Sequence, residues 1–359
     1  MISPNAPIFF QPNRVWRCYT GGVLLDRFTG RPEQGDGHFP EDWLASTVRA
    51  LNGKNSQGDE EGLSRTRTVT GAAGSLLRDV LLHDPIAYLG QRRDDGLGIL
   101  CKFLDSAVRL PIQCHPDREF ALEYYKSDHG KAESWVVLGT REINGQQPYL
   151  LMGFQPGVTA DDFARVVAEQ DIPAMEQMLH RITVKPGDTF FIPGRFPHAI
   201  GPGVMMLEVQ EPSDWVVQPE RYCADTELTP EDMWGPLEPN IGLACFEYNG
   251  QSVAKTLTRC RRSATPVRIE SGGQLDAVIG PETTPCFSIH RLHVTDSFTL
   301  RKFAPYYLAV VTKGCGTITW STGESIDIQQ GDVFFEPYSI SEMEYCMKND
   351  SLDIILCSR

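Results

Sequence analysis

The sequence predicts a mainly β protein built from two copies of one small β-barrel, with helical segments set between strands. Three observations carry that expectation. Short runs rich in β-branched and aromatic residues recur between Gly and Pro turns along the chain. One motif occurs twice, as GDTFFIP at 187–193 and GDVFFEP at 331–337, each after a β-rich run ending in glycine, WVVLG and LAVVTKG. Apolar residues at helical spacing are confined to a few segments.

Taken in order, residues 1–60 combine turn residues (Gly21, Gly22, Pro32, Gly35, Gly37, Pro40) with Trp16, Phe28, Phe39 and Trp43. That mixture predicts irregular structure pinned by buried aromatics. In 74–90, Leu76, Leu77, Val80, Leu81 and Ile86 to Leu89 follow a helical period that Pro85 interrupts, so two short helices are expected. In 159–181, Thr159 followed by Ala-Asp-Asp reads as an N-cap with acids in the first turn. Phe163, Val166, Val167, Met175, Met178 and Leu179 then supply apolar faces around Pro173, predicting a helical pair between strands. Thr229-Pro230 begins a third helix, with proline at the first helical position. Strands are predicted at 134–139, 149–154, 189–193, 204–210, 298–303, 306–314, 316–320 and 332–337.

The 359 residues suffice for about two domains at roughly 150 residues each. The expected division is a metal-binding unit at 1–225, a helical connection at 226–261 and a second barrel without metal at 262–359. With 33 Lys and Arg against 47 Asp and Glu, the net charge of −14 argues against nucleic acid or an anionic membrane as the main partner. The ten cysteines are scattered without a C-x-x-C pair, which reads as reduced thiols and a cytoplasmic location. No apolar run approaches the ~20 residues of a membrane span, and the start MISPNAPIFFQPNRVW lacks signal-peptide features. Coiled-coil heptads are absent, and the oligomeric state, monomer or dimer, is open.

The first copy carries residues that the second lacks. Gln113 and His115 alternate in the extended stretch PIQCHP, so their side chains share one face. Glu133 opens the next strand, and His198 follows Pro193 where the sheet turns back. Two imidazoles, a carboxylate and an amide oxygen suit one divalent ion with an open position, Zn²⁺ first and Mn²⁺, Fe²⁺ or Co²⁺ as alternatives. In the second copy the place of His198 falls among Tyr338 to Glu342, without histidine.

These motifs, Q-x-H-P-D (Gln113, His115, Pro116, Asp117), G-K-x-E (Gly130, Lys131, Glu133), G-D-x₄-P-x₄-H (Gly187 to His198) and L-E-V-Q-x-x-S-D (Leu207 to Asp214), together resemble type I mannose-6-phosphate isomerase. The resemblance extends over most of the chain and implies two cupin (jelly-roll) domains around a zinc-dependent sugar isomerase. By that resemblance Gln113, His115, Glu133 and His198 are metal ligands, Lys131 and Asp214 are active-site residues, and Trp16 and Lys102 line the pocket. The family's S-D-x-x-x-R pattern is broken here, because Gln218 stands where the arginine belongs. Arg221, three residues on, is the expected replacement, with Gln218 as a substrate-side residue. Arg14, Arg17 and Arg195 read as surface charges rather than phosphate ligands.

Interconversion of mannose 6-phosphate and fructose 6-phosphate passes through a cis-enediolate, so the site must stabilise charge on oxygen and move a proton between adjacent carbons. Lys131 is the expected base, and Asp214 an aid to ring opening. The alternatives are an isomerase for another sugar, phosphorylated or free, a cupin that binds a sugar without turnover, and an iron-dependent oxygenase or epimerase.

Overall fold

A strand buried on both faces reads as an unbroken apolar run, because neither set of alternating side chains meets water. VMMLEVQ at Val204–Gln210 is such a strand, buried at every position. It lies inside a seven-stranded sheet of the computed structural model, which describes residues 2–67, 71, 73–93 and 96–359. The sheet order is Arg261–Arg262, Thr189–Ile192, Glu133–Thr140, Val204–Gln210, Leu100–Ser106, Glu41–Leu44, Arg14–Val15. A three-stranded sheet (His198–Ile200, Tyr149–Phe154, Leu179–Thr183) packs over it, with Trp135, Val137, Leu104, Met206 and Phe190 meeting Leu150, Met152 and Ile200.

The pleat sorts each strand of the large sheet in two. Met205, Leu207, Val209, Cys101, Phe103, Val136 and Phe191 face the C-terminal half, where they share one core with Ile289, Leu308, Val310, Phe335 and Ile355. The opposite parity points into the N-terminal barrel. In the C-terminal half, Tyr307, Ala309, Val311, Ile354 and Leu356 fill a second barrel interior. Its nine-stranded sheet also takes in Ile8–Phe9 from the start of the chain, paired with Phe334 and Phe335.

The repeated motif is one turn made twice. Gly187 and Gly331 adopt φ 92° and 89°, a conformation glycine enters without steric cost. The Gly187 N–H bonds to Val137 O and the Val137 N–H to Asp188 O, while Gly331 and Val311 repeat both bonds with Val311 O and Asp332 O. Asp188 accepts from Lys185 N at 3.1 Å and Asp332 from Gln329 N at 2.8 Å, so each aspartate side chain ties down its own turn.

Helices form where expected at Leu77–His83 and Pro85–Leu89, and Asp84 caps the second through the Ala87 N–H. Thr159 caps Ala160–Glu169, and Thr229 with Asp232 forms a reciprocal capping box on Pro230–Trp234. Three expectations need correction. The helical pair ends at Gln177, and Leu179–Thr183 is a strand, because its alternate residues pack against Tyr149–Phe154. The runs 306–314 and 316–320 are one strand, Tyr307–Trp320, whose bulges accommodate Gly314 and Gly316 without ending it. The first 60 residues are more regular than their turn content suggests, with a helix at Val23–Phe28 and a strand at Glu41–Leu44. Trp43 pins this segment from the core, whereas Phe39 is exposed. Among the described residues no helix is long and apolar enough to cross a membrane, and all ten cysteines are free.

Because one core joins the two halves, they should unfold together. Leu308→Ala is expected to cost about 2–5 kcal/mol and to shift a single calorimetric transition. Two separable transitions would show that the shared core does not couple the halves.

Candidate metal centre and active site

The inward parity of the large sheet is apolar at one end (Val204, Met206, Leu104, Val137) and polar at the other. Register sets Glu208 opposite both Trp135 and Lys102, and Lys102 opposite Trp43, while Gln210 pairs with Glu133. Glu41, Lys102, Glu133 and Glu208 therefore converge from four neighbouring strands on one cavity of about 1240 Å³, which Trp16, Arg17, Gln113, Lys131 and Asp214 also line.

At one end stand His115, Glu133 and His198, all buried, with ligand atoms within 4.8 Å of one another. His115 Nδ1 lies 2.9 Å from Trp215 O, and His198 Nδ1 lies 2.8 Å from Phe196 O. Each carbonyl can only accept, so each Nδ1 carries the proton and each Nε2 presents a lone pair inward. His198 Nε2 is buried without a hydrogen-bond partner. Glu133 Oε1 pairs with Lys131 Nζ at 3.0 Å and lies 3.0 Å from His115 Nε2, but accepts no aligned hydrogen bond. Burial and the neighbouring imidazole push His198 down to about 3, and burial with Lys131 lowers His115, so both rings are neutral. Oriented neutral imidazoles and an incompletely bonded carboxylate are the donor set a divalent cation needs, and they fit Zn²⁺.

Gln113 joins this group through the backbone. It exchanges both N–H···O bonds with His198, at 2.8 and 2.9 Å, and residues paired in this way project on the same side. Lys131 is brought close by glycine. A Cβ on Gly130 would stand 2.8 Å from Pro116 O, so only glycine lets this loop lie against the His115-Pro116 turn. Lys131 Nζ then sits 3.3 Å from His115 Nε2.

From the triad a row of charges crosses the cavity floor. Trp135 Nε1 donates to Glu133 Oε2 at 3.1 Å and to Glu208 Oε2 at 3.0 Å. Lys102 Nζ is 3.2 Å from Glu208 and 3.9 Å from Glu41, and Arg17 Nε donates to Glu41 at 3.0 Å. Burial and the charge of Glu133 raise the Glu208 carboxyl. Burial would also raise Glu41, but Arg17 and Lys102 beside it hold it at about 2.

No family model matches the chain. Similarity to individual proteins nonetheless spans nearly all of it. The chain is 27% identical to the mannose-6-phosphate isomerase of Streptococcus mutans over 74% of its length and 77% of that protein. It is 25% identical to the mannose-6-phosphate isomerase ManA of Bacillus subtilis over 94% of its length and 95% of the relative. The chain is similar to mannose-6-phosphate isomerases over most of its length. Its double-cupin fold matches the crystal structure of the mannose 6-phosphate isomerase from Bacillus subtilis with a TM-score of 0.76, covering 99% of this chain and 100% of the other at 19% identity. A zinc-bound mannose 6-phosphate isomerase structure matches with a TM-score of 0.71 over 98% and 100% of the chains, at 15% identity.

The residues singled out from the family pattern reach the cavity in different ways. Trp16 stacks on His38 at its wall, and Lys102 is buried in its floor. Asp214 does not cap its own turn but accepts from Leu51 N at 2.9 Å and from Arg17 Nη2 at 3.2 Å. Gln218 turns its amide to Asp232 O at 2.9 Å, and Arg221 lies exposed at the rim, its backbone N–H bound to Gln170. Arg14 pairs with Asp26, and Arg195 clamps the Ala244 and Cys245 carbonyls. Arg17 corrects the surface-charge reading, because it is drawn inward by Glu41 and Asp214. Sequence reasoning also passed over Glu41, Glu208, Trp135 and Asn52. An acid inside the apolar run VMMLEVQ was the available signal for Glu208.

Since Glu41 titrates near 2 in the folded chain and near 4.5 ordinarily, its contribution to stability is complete above pH 4.5 and is lost as pH falls towards 2. The gap corresponds to about 3 kcal/mol. Glu41→Gln should lower stability at pH 7 by that order and flatten the decline between pH 4.5 and 2, as measured by urea unfolding at stepped pH.

Proposed function

We propose that this chain is a zinc-dependent aldose–ketose isomerase that interconverts mannose 6-phosphate and fructose 6-phosphate. The observation that carries this reading is the buried His115–Glu133–His198 group, with each Nε2 left as a lone pair and Lys131 Nζ 3.0 Å from Glu133, beside a cavity that Glu133 and Lys131 line. His115, Glu133 and His198, joined by Gln113, would hold the ion. When bound, Zn²⁺ supplies Lewis-acid polarisation of the sugar oxygens at the reacting carbons.

The remaining chemistry belongs to the chain. Isomerisation takes a proton from the carbon beside the carbonyl and returns it to the neighbouring carbon, and Lys131 is the proton carrier we assign to this transfer. Its stem is buried and its amine is anchored beside Glu133, so the group is held at one position rather than swinging in solvent. Lys102, fixed between Glu208 and Glu41, is a permanent cation near the developing enediolate charge. Asp214, held by Arg17 and the Leu51 N–H, is a positioned acceptor for a sugar hydroxyl during ring opening. Trp16, Trp215 and Trp234 supply apolar walls that limit water around these charges.

Arg221 stands apart from this group. Exposed at the rim and, among the described residues, without a carboxylate to orient it, it acts on substrate arrival rather than on the reacting carbons. Residues 262–359, whose barrel interior is filled by apolar side chains, support the large sheet from behind.

Elemental analysis and a coupled isomerase assay test the reading together. Wild-type protein should carry one zinc per chain and turn over mannose 6-phosphate. His198→Ala should lose most bound metal, while Lys131→Met should keep it and lose about 10²–10⁴-fold in kcat. Arg221→Ala should change kcat/KM by less than about tenfold. Full zinc in the histidine variant would remove the metal assignment, and unchanged turnover in the lysine variant would remove Lys131 from the mechanism.

A further inference from the structure

The cavity holds a second set of polar groups at the far end of the charged row from the triad. Arg17 is its centre. Its Nε donates to Glu41, Nη1 to Asn52 Oδ1 at 2.9 Å and Nη2 to Asp214 at 3.2 and 3.3 Å, and its guanidinium lies 5.0 Å from the centre of the Trp43 ring. Each neighbour is fixed in turn. Glu41 receives Tyr19 Oη and Trp43 Nε1, both at 2.7 Å, and Asp214 receives the Leu51 N–H. The arginine is thus oriented before any ligand arrives, and its five N–H groups exceed the bonds these neighbours accept.

Asn52 supplies an independent observation. It is 6% exposed and lines the cavity, and it accepts from Arg17 through Oδ1 while Nδ2 is buried with no hydrogen-bond partner. A buried amide donor left unpaired is costly, and an acceptor oxygen delivered by a ligand removes that cost.

The chemistry of that ligand follows from the charges. Arg17 and Lys102 are surrounded by Glu41, Glu208 and Asp214, so their positive charge is already compensated. A dianion gains little here, whereas a hydroxyl can accept from Arg17 or Asn52 and donate to Asp214. We infer that Arg17, Asn52 and Asp214 form a hydroxyl-binding subsite that holds the sugar remote from the metal, with Arg17 and Asn52 setting substrate specificity. This rests on the isomerase reading for the identity of the sugar, but not for the existence of the subsite.

The test is titration calorimetry of zinc-loaded protein with mannitol and, separately, with inorganic phosphate, alongside steady-state kinetics. Asn52→Ala and Arg17→Lys should keep zinc stoichiometry and weaken mannitol binding at least tenfold, leaving phosphate binding unchanged. KM for mannose 6-phosphate should rise more than kcat falls. Asn52→Ala removes an unpaired donor and leaves the ion pairs in place, so it stays informative if Arg17→Lys does not fold. Mannitol binding equal in wild type and Asn52→Ala, including no measurable binding in either, overturns the inference. So does selective loss of phosphate binding, which would make the cluster a phosphate clamp. Wild-type protein that binds mannitol through Asn52 without converting mannose 6-phosphate would overturn the isomerase reading alone.

Discussion

The pleat of the seven-stranded sheet governs this molecule. Both faces are buried, so every strand must place one parity against the C-terminal half and the other into the N-terminal barrel. A one-residue slip of Val204–Gln210 would put Glu208 into the shared apolar core and turn Leu207 into the cavity. The large burden of apolar surface on the outward parity therefore holds the inward charges in register. Stability and site geometry depend on the same alternation.

That arrangement explains how so many ionised groups can be buried together. Glu133, Glu208, Glu41 and Asp214 alternate with Lys131, Lys102 and Arg17 along the cavity, and Trp135 and Trp43 donate indole N–H groups to the carboxylates between them. Each charge is compensated by a neighbour on the next strand or loop, which offsets much of its desolvation. Among the described residues several buried polar atoms around the cavity lack a hydrogen-bond partner, Glu208 Oε1 and Gln210 Oε1 within the sheet among them. His198 Nε2 and Glu133 Oε1 are incompletely bonded at one end, and Asn52 Nδ2 is unpaired at the other. The first pair offers lone pairs that a cation would coordinate, and the second offers a donor that a ligand hydroxyl would accept from.

The C-terminal half repeats the strand–turn–strand device of the first, down to the aspartate that closes each turn. Its interior parity, however, is filled mainly by apolar and aromatic residues such as Tyr307, Ala309, Val311 and Phe334, with the buried Glu336 tied to Tyr345 Oη. One architecture thus serves two purposes according to what the inward positions carry. In the first barrel they build a site, and in the second they build a core that backs the sheet on which the site stands.

The fold class, the repeat, the helix starts at Ala160 and Pro230 and the cluster of His115, Glu133 and His198 were legible in the sequence, because each depends on local alternation, capping chemistry or ligand type. Strand continuity through Gly314 and Gly316 was not, since a bulge and a turn are written with the same residues. Arg17 and Asn52 were also illegible. In the sequence they are an arginine and an asparagine in a turn-rich segment, indistinguishable from solvated surface groups. Their burial is decided by Asp214, 197 positions away from Arg17, and by Glu41 across a loop. Conversely, Arg221 has the charge the motif calls for but is placed at the rim by the path of the chain. Residue type and short-range spacing determine which groups can ligate a metal or cap a helix. Which charges face one another inside a barrel is settled only when distant strands align, because the cost of burying a charge depends on the partner that tertiary structure brings to it.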